Sequence, residues 1–571
     1  MPVGEPEHPD ALVAAALTAR QSGDLPLAKH YLVLATSSSE NSQHFNMLGN
    51  VLADLGDVSG ADRAYENAIA LAPNQPDAWT NRGNLLIGTD DPTALSSLET
   101  ACRLAPHSVL AWMGLGKVLR SLRRFDDAIM AFERAREIDP ERATIPIQIG
   151  LTHAAAGRAD QAIAVYDAAE HCGQSRPELL DNRAAARIDL GDIAGAKMEY
   201  DRLVNLFPAY AAGHRARARL LWEFDLEGDP FASYQHLAEQ HSQSVEVWHG
   251  WLTALASFRQ FDRLVDISAR AKAILGDDPS VSFFAAVGLS ETGRVGPATD
   301  VFAKLYGRFG QDSSFLLAYI RHALRIRDPS LADSLCERAV QLEPNNQLAW
   351  AYRSLAWRLA DDPREDWLID YERMVTFEPA IPPGETITPE AFALEIADHL
   401  RGLHEARVHP AEQSLRGGTQ TAGSLFQRIE PWAGRIKAAA QAAVTRYIDR
   451  LPDDSSHPYL ARKAAQFRFS GSWSVRLEKA GYHIAHVHPD GWISSAFYFV
   501  VPDCDPGAAD GGLLALGGAP EELGLDIKPR RIVRPTPGWL CLFPSMVWHE
   551  TTPVQVDAER LTTAFDVVPV V

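Results

Sequence analysis

Cysteine is scarce in this chain of 571 residues: the five present, Cys102, Cys172, Cys336, Cys504 and Cys541, are odd in number and form no C-x-x-C pair. That argues against a disulfide framework or a structural zinc site, and fits a reducing, cytoplasmic compartment. Positive charge is also short, with 54 Lys and Arg against 74 Asp and Glu for a formal net charge of −20. Phosphate backbones and anionic lipid surfaces attract basic proteins, so neither nucleic acid nor membrane is an expected partner. Long apolar runs are missing: none reaches the roughly 20 residues of a membrane span, and the opening MPVGEPEHPDALVAAAL is acidic where an export signal is basic. What remains, 46% hydrophobic and 22% charged residues, suits a folded protein with a large core.

Self-similarity at a fixed period organises the first two thirds. Gly49, Gly83, Gly116 and Gly150 are spaced by 34, 33 and 34 residues, and Ala61, Ala94, Ala128 and Ala162 by 33, 34 and 34. Pro73, Pro106 and Pro140 keep the rhythm, as do Trp79 with Trp112 and Ala68 with Ala101 and Ala135. Each unit reads as two apolar-periodic helices joined by a Gly-Asp or similar turn. Only Gly or Ala lets the paired helices approach closely, and the proline ends the second helix. The pattern resembles the tetratricopeptide repeat. A stack of such repeats implies an extended concave groove and hence a protein or peptide partner.

The register persists through Ala184, Ala196 and Pro208, decays over about 210–330, and revives between Cys336 and Asp362. The spacing predicts a solenoid over 1–379 with degenerate repeats in its middle, followed by a Pro/Gly-rich linker, AIPPGETITP, at 380–389. Asn81, Gln148 and Asn182 stand two residues before the small residue of their repeats. They resemble the asparagine ladder with which the repeats of protein O-glycosyltransferases hold peptide backbones, and are candidate substrate contacts. Met47 and Gly114 fill the equivalent places elsewhere, so a solvated polar groove is the alternative.

Over 390–571 the character changes. Two helical stretches, AFALEIADHLRGLHEAR and LFQRIEPWAGRIKAAAQAAVTRYIDRL, precede segments of period two: FRFSGSWSVRLEK, YHIAHVH, WISSAFYFVVP, GGLLALGG, WLCLFP and RLTTAFDVVPVV. The expected fold is therefore α+β and multidomain: an all-α solenoid followed by a double-stranded β-helix, or jelly-roll, barrel with buttressing helices.

Two blocks carry the chemistry, HVHPD at 486–490 and PGWLCLFPSMVWHETTPVQVDAER, which contains His549 and Arg560. Residues i and i+2 of a strand share a face, so His486 and His488 point the same way, while His483 falls on the opposite face of a regular strand. Pro489 ends the strand and leaves Asp490 in the turn. Non-haem iron(II) favours two imidazoles and a carboxylate, with open positions for cosubstrate and oxygen. His549, 61 residues after His488, is the distant ligand, with about three strands in between. Two frames compete for the near ligands: His486 with His488, or His488 with Asp490. Arg560 offers a rigid fork for the distal carboxylate of 2-oxoglutarate, from a strand expected beside that of His549.

The motifs GSWSVRL, HVHPDGWISSAFYFVVP, RPTPGWLCLFPSMVWHETTPV and ERLTTAFDV, with QSLRGGTQT upstream, resemble the 2-oxoglutarate/iron(II) oxygenase family often attached to tetratricopeptide repeats. The resemblance covers about residues 386–571 and implies an Fe(II)/2-oxoglutarate-dependent dioxygenase, a hydroxylase of a recruited protein or peptide. It implies His486, His488 and His549 at the metal and Arg560 at the cosubstrate, whereas coordination chemistry favours Asp490 for one place. Arg416 and Thr419 in QSLRGGTQT are candidates for a carboxylate-cradling loop, against a simple turn with a structural arginine. Trp473, Trp492, Trp539 and Trp548 are expected in the barrel core, with Trp492 also a candidate substrate-stacking ring. His457, in the loop SSHP, is expected to be solvent exposed. Two other functions fit: a non-catalytic scaffold with a degenerate barrel, and a cupin-like metalloenzyme using three histidines without 2-oxoglutarate, which would have no need of Arg560.

Overall fold

The computed structural model describes residues 8–404, 414–421, 424–428, 430–502, 511–554 and 558–570. Two units divide between Ala216 and Arg217. In the first, twelve helices from Pro9–Gln21 to Ile193–Leu206 run in antiparallel pairs, and no strand interrupts them among the described residues. The turns have a repeated chemistry. Gly23, Gly56 and Gly191 adopt φ of 82°, 78° and 74°, and the aspartates that follow, Asp24, Asp57 and Asp192, cap the next helix by accepting from Leu27, Gly60 and Gly195 N–H.

The period has a packing cause. Gly49, Gly83, Gly116 and Gly150 each lie against one buried side chain of the partner helix, Tyr65, Leu98, Phe132 and Tyr166, which themselves recur at 33 or 34 residues. The indoles of Trp79 and Trp112 donate to the carbonyls of Pro73 and Pro106, both at 2.9 Å, tying each first helix back to the proline turn before it.

In the second unit helix pairs continue through the off-consensus stretch, among them Val245–Ser257 with Phe261–Leu275 and Ser313–Arg325 with Pro329–Leu342, ending at Gln347–Leu359. The indole device survives there: Trp248 donates to Ser242 O at 2.8 Å and Trp350 to Pro344 O at 2.9 Å. A nine-stranded antiparallel sheet then curls into a near-closed barrel. Its strands are β1 (Thr376–Pro379), β2 (Leu415–Gln420), β3 (Phe467–His486), β4 (Ile493–Val500), β5 (Leu514–Leu516), β6 (Arg531–Val533), β7 (Trp539–Pro544), β8 (His549–Thr551) and β9 (Arg560–Pro569). The order is β1-β7-β4-β9-β3-β8-β5-β6, with β2 also on β3. Helices Pro389–Arg401 and Pro431–Arg450 buttress it, Phe392 meeting Phe497 and Tyr447 donating to Met374 O at 2.7 Å.

Several local expectations change. Thr376–Pro379, assigned by spacing to the solenoid, pair with β7 from Leu542 to Trp539. Ala380 of the linker segment is 1% exposed and donates to Gly538 O, so packing continues into that Pro/Gly stretch. FRFSGSWSVRLEK and YHIAHVH, read as two strands, form the single β3, which pairs with β9 as far as Leu477 and with β8 beyond His483. Between the two halves Ala480 takes φ 64° and Gly481 lies against the backbone of Gly417, an approach no side chain would permit. Among the described residues four strands, β4 to β7, lie between His488 and His549.

The close packing at the repeat glycines makes a direct test. In Gly116→Ala the new methyl would sit 2.5 Å from the ring of Phe132, which is fully buried. Overpacking of this kind costs about 1–3 kcal/mol, so the urea-unfolding midpoint should fall. An unchanged midpoint would mean that the helices do not depend on this contact.

Candidate metal centre

The site is built on an irregularity of β3. His483 pairs with Thr551 and His486 with His549, so β3 spends three residues where β8 spends two. The bulge returns His483 and His486 to one face, and their rings stack 5.5 Å apart. The expectation that His483 faces away assumed an uninterrupted pleat and is corrected by this extra residue. Direct pairing brings the rings of His486 and His549 to 4.1 Å, and His488, just beyond the strand, lies 5.3 Å from His486 and 5.1 Å from His549. The ligating atoms of His486, His488 and His549 all fall within 4.8 Å of one another.

Hydrogen bonds select the tautomers. His486 Nδ1 lies 2.9 Å from Ile484 O, His549 Nδ1 3.0 Å from Val547 O and His488 Nδ1 2.6 Å from Asp566 Oδ1. Backbone carbonyls and a carboxylate accept, so each Nδ1 carries the hydrogen and each Nε2 keeps its lone pair. Burial lowers the His486 pKa to about 3, with His488 acting in the same direction, and carries His549 well below the imidazole range. Such neutral rings suit metal ligation. Asp566 in turn accepts from Ser494 Oγ at 2.7 Å, which lies 2.8 Å from Ser545 Oγ.

Arg560 opens β9, opposite Leu477 of β3, and is 3% exposed. Its guanidinium lies 5.1 Å from the Tyr498 ring centroid, and its buried Nε has no hydrogen-bond partner. Burial lowers its pKa, yet a guanidinium keeps its charge, so this end of the barrel holds a dry cation with an unused donor. Its strand lies between β3 and β4, whereas β8 lies on the other side of β3 in the sheet order. The expected pairing of the Arg560 and His549 strands is thereby corrected: β3 is long enough to receive both. WLCLFP forms β7 against β4, and His549 begins the separate short β8.

The other sequence candidates divide. Asp490 is exposed in the turn and stands outside the histidine cluster. Trp492 is fully buried and donates to Tyr459 O at 3.1 Å, which removes it from substrate stacking; a turn residue next to a ligand can still point into the core. Trp548 is buried against Tyr352, whereas Trp473 is half-buried beside His488 and Trp539 beside Phe377. Arg416 and Thr419 lie on β2 rather than in a loop, because the Gly417–Gly418 bulge lets the chain hug β3; Thr419 Oγ1 lies 2.8 Å from His404 Nδ1. His457 is 1% exposed, its Nε2–H directed at the carbonyls of Trp367 and Leu368 and its Nδ1 accepting from Tyr459 and Leu460 N–H, contrary to the exposed loop expected. Asn81 donates to Asn46 and Asn50, Gln148 accepts from Arg120, and Asn182 donates to Glu178 O.

Asp566 was missed in the sequence. Its signal was parity: six residues after Arg560 on a strand, it shares that residue's face. A cavity of about 390 Å³ also had no sequence signal. It reaches the centre at His486 and is lined by barrel residues together with side chains of the later repeats, including Arg259, Glu291, Arg321 and Tyr352.

Comparison with known proteins agrees with both halves of this architecture. Residues 471–566 match the family described as "Putative 2OG-Fe(II) oxygenase", residues 49–88 a TPR repeat and residues 92–143 a tetratricopeptide repeat. The chain is 29% identical over 168 residues to protein FlbA of Caulobacter vibrioides, covering 28% of each chain. It is 31% identical over 99 residues to small glutamine-rich tetratricopeptide repeat-containing protein 2 of Mycosarcoma maydis, covering 17% of this chain and 28% of that one. The match thus spans 28% of the length of each of these relatives. A solved tetratricopeptide repeat protein from Parabacteroides merdae aligns over 49% of this chain and 98% of its own, at 13% identity and a TM-score of 0.33. Residues 49–88 and 92–143 thus carry the tetratricopeptide signature, and residues 471–566, at the C-terminal end, that of a 2OG-Fe(II) oxygenase domain.

Proposed function

We propose that the C-terminal domain is an Fe(II)- and 2-oxoglutarate-dependent dioxygenase, a hydroxylase acting on a protein or peptide that the repeats recruit. The observation that carries this reading is three imidazoles, His486, His488 and His549, whose ligating atoms lie within 4.8 Å of one another, on a barrel that also buries Arg560 with an unsatisfied Nε. The residues fit both groups: imidazoles with committed Nδ1–H groups for the metal, and a guanidinium short of an acceptor for the distal carboxylate. When bound, iron and 2-oxoglutarate supply the oxidation of a substrate C–H bond to C–OH by oxygen, with succinate and carbon dioxide as co-products.

The protein side of the mechanism is orientation. Asp566 holds the His488 ring, and the carbonyls of Ile484 and Val547 hold His486 and His549. Aromatic rings pack beside two of them, Phe543 4.8 Å from the His549 ring and Trp473 5.6 Å from the His488 ring. The division of labour we propose gives recruitment to residues 1–379 and chemistry to 390–571, with β1 lent to the barrel. The unpaired thiols of Cys102, Cys172, Cys336 and Cys541 support a cytoplasmic setting. No helix among the described residues is long and apolar enough to cross a membrane. A cupin-like enzyme using three histidines without 2-oxoglutarate is the second reading, supported by the all-imidazole cluster and opposed by the buried Arg560.

Purified iron-loaded protein, given 2-oxoglutarate with and without a cell extract as substrate source, should form succinate. Asp566→Ala should weaken metal binding by about ten- to a hundredfold, while Asp490→Ala should leave metal content nearly intact. The reverse result, read by metal titration, would move the carboxylate ligand to Asp490. Arg560→Ala should retain metal but weaken 2-oxoglutarate binding about thirtyfold or more, the equivalent of roughly 2–5 kcal/mol for a buried charge-assisted pair. Unchanged cosubstrate affinity would put the cupin-like enzyme ahead.

A further inference from the structure

The cavity beside His486 has two unlike walls. The barrel side is mostly apolar, with Ile484, Val487, Leu523 and Trp548, and brings one carboxylate, Glu522, while the repeat side brings Arg259, Glu291 and Arg321. Glu291 is gripped by two arginines, Arg321 and Arg325, each at 2.9 Å. Glu522 takes Arg259 at 2.9 Å and lies 3.8 Å from Arg321, and its backbone carbonyl accepts from Arg325 at 3.1 Å. Both carboxylates are therefore already committed to cations. Three guanidinia face two carboxylates, and Arg416 of β2 lies near enough for the Arg259 charge to act on it.

The surplus is positive and sheltered. Arg321 Nε is buried without a hydrogen-bond partner, although this arginine lines the cavity. A sheltered cation with an unused donor is stabilised by an anion far more than by an apolar or cationic group. At about 390 Å³ the cavity stands at the small end of ligand pockets, room for one side chain and its flanking backbone and not for a folded domain. His486 and Arg321 both line it, so one ligand in the cavity can meet the arginine and the edge of the histidine cluster.

We propose that this cavity is the substrate chamber and that Arg321, flanked by Arg259 and Arg325, binds the carboxylate of an Asp or Glu side chain of a peptide. The assignment of the chamber to a substrate rests on the oxygenase reading; the preference for a carboxylate rests on the arginine wall alone. The later repeats then do more than recruit: they supply the specificity-determining face of the site.

The test uses the full chain, with and without bound metal, titrated calorimetrically with acetylated Gly-Xaa-Gly amides in which Xaa is Asp, Glu, Leu or Lys, and with inorganic phosphate. The acidic peptides should bind at least about tenfold tighter than the leucine peptide, an advantage that shrinks with added salt, and tighter than phosphate. Arg321→Gln should abolish that advantage while metal content and 2-oxoglutarate affinity stay at the parent values, and Arg321→Lys should restore part of it. Equal affinity across the four peptides, or a preference for lysine or for phosphate, would overturn the proposal, and the parent protein alone decides this even if the Gln variant fails to fold. A protein that takes up no metal yet selects acidic peptides would fail the oxygenase reading and keep the carboxylate site. Normal metal and cosubstrate binding without peptide selection would do the opposite.

Discussion

One continuous apolar core joins the later repeats to the barrel, and the site depends on it. The buried cluster runs from Ala286 and Phe302 in the repeats to Phe565 and Val567 on β9 without a break in packing. Polar ties reinforce it: the Trp548 indole donates to Ala351 O at 2.9 Å, Gln347 N–H to Pro489 O at 3.0 Å, and Arg358 to the carbonyls of Gly517 and Lys528. Trp548 immediately precedes His549, and Pro489 immediately follows His488. The last repeat therefore grips the chain next to two of the three imidazoles. Separating repeat from barrel would expose a large apolar surface and loosen the histidines together.

Within that frame, precision comes from strand pairing and from what holds the rings. A cross-strand pair puts His486 opposite His549 with no freedom to slide, because a one-residue slip would invert every side chain of a buried strand. The bulge after His483 adds a fourth imidazole beside the cluster. Asp566, the carbonyls of Ile484 and Val547, and the pair Ser494 and Ser545 then orient rings that packing alone would leave free to flip. Arg560 lies on the same face of β9 as Asp566, so one strand both holds the His488 ring and carries the buried guanidinium.

The repeats illustrate how consensus and structure can part. Between about 210 and 330 the signature residues fade, yet the helix pairs and the indole-to-carbonyl tie persist, Trp248 using Ser242 O where Trp79 uses Pro73 O. What the later repeats lose in regularity they gain in chemistry, since Arg259, Glu291, Arg321 and Tyr352 line the cavity. The amides of Asn81 and Gln148, whose spacing made them candidate peptide contacts beside the alternative of a solvated polar groove, are bonded within the repeats to Asn46, Asn50 and Arg120.

By itself the sequence determined what local periodicity and residue chemistry can encode: helix pairs, because glycine and alanine recur where helices touch; strands, because period-two segments follow; and imidazoles of HVH on one side, because i and i+2 share a face. His486, His488, His549 and Arg560 were legible because their residue types are uncommon together at such spacing. Only the tertiary structure decided what depends on distant pairing. A bulge cannot be read from a strand alone, so the face of His483 was invisible. The burial of His457 and Trp492 follows from the helices and carbonyls that surround them, not from their own loop or turn. Asp566 gains its role through a hydrogen bond across 78 residues of sequence, and the arginine wall through contacts that span up to 263; strand parity can assign a face, but local periodicity does not say which distant group will meet it there.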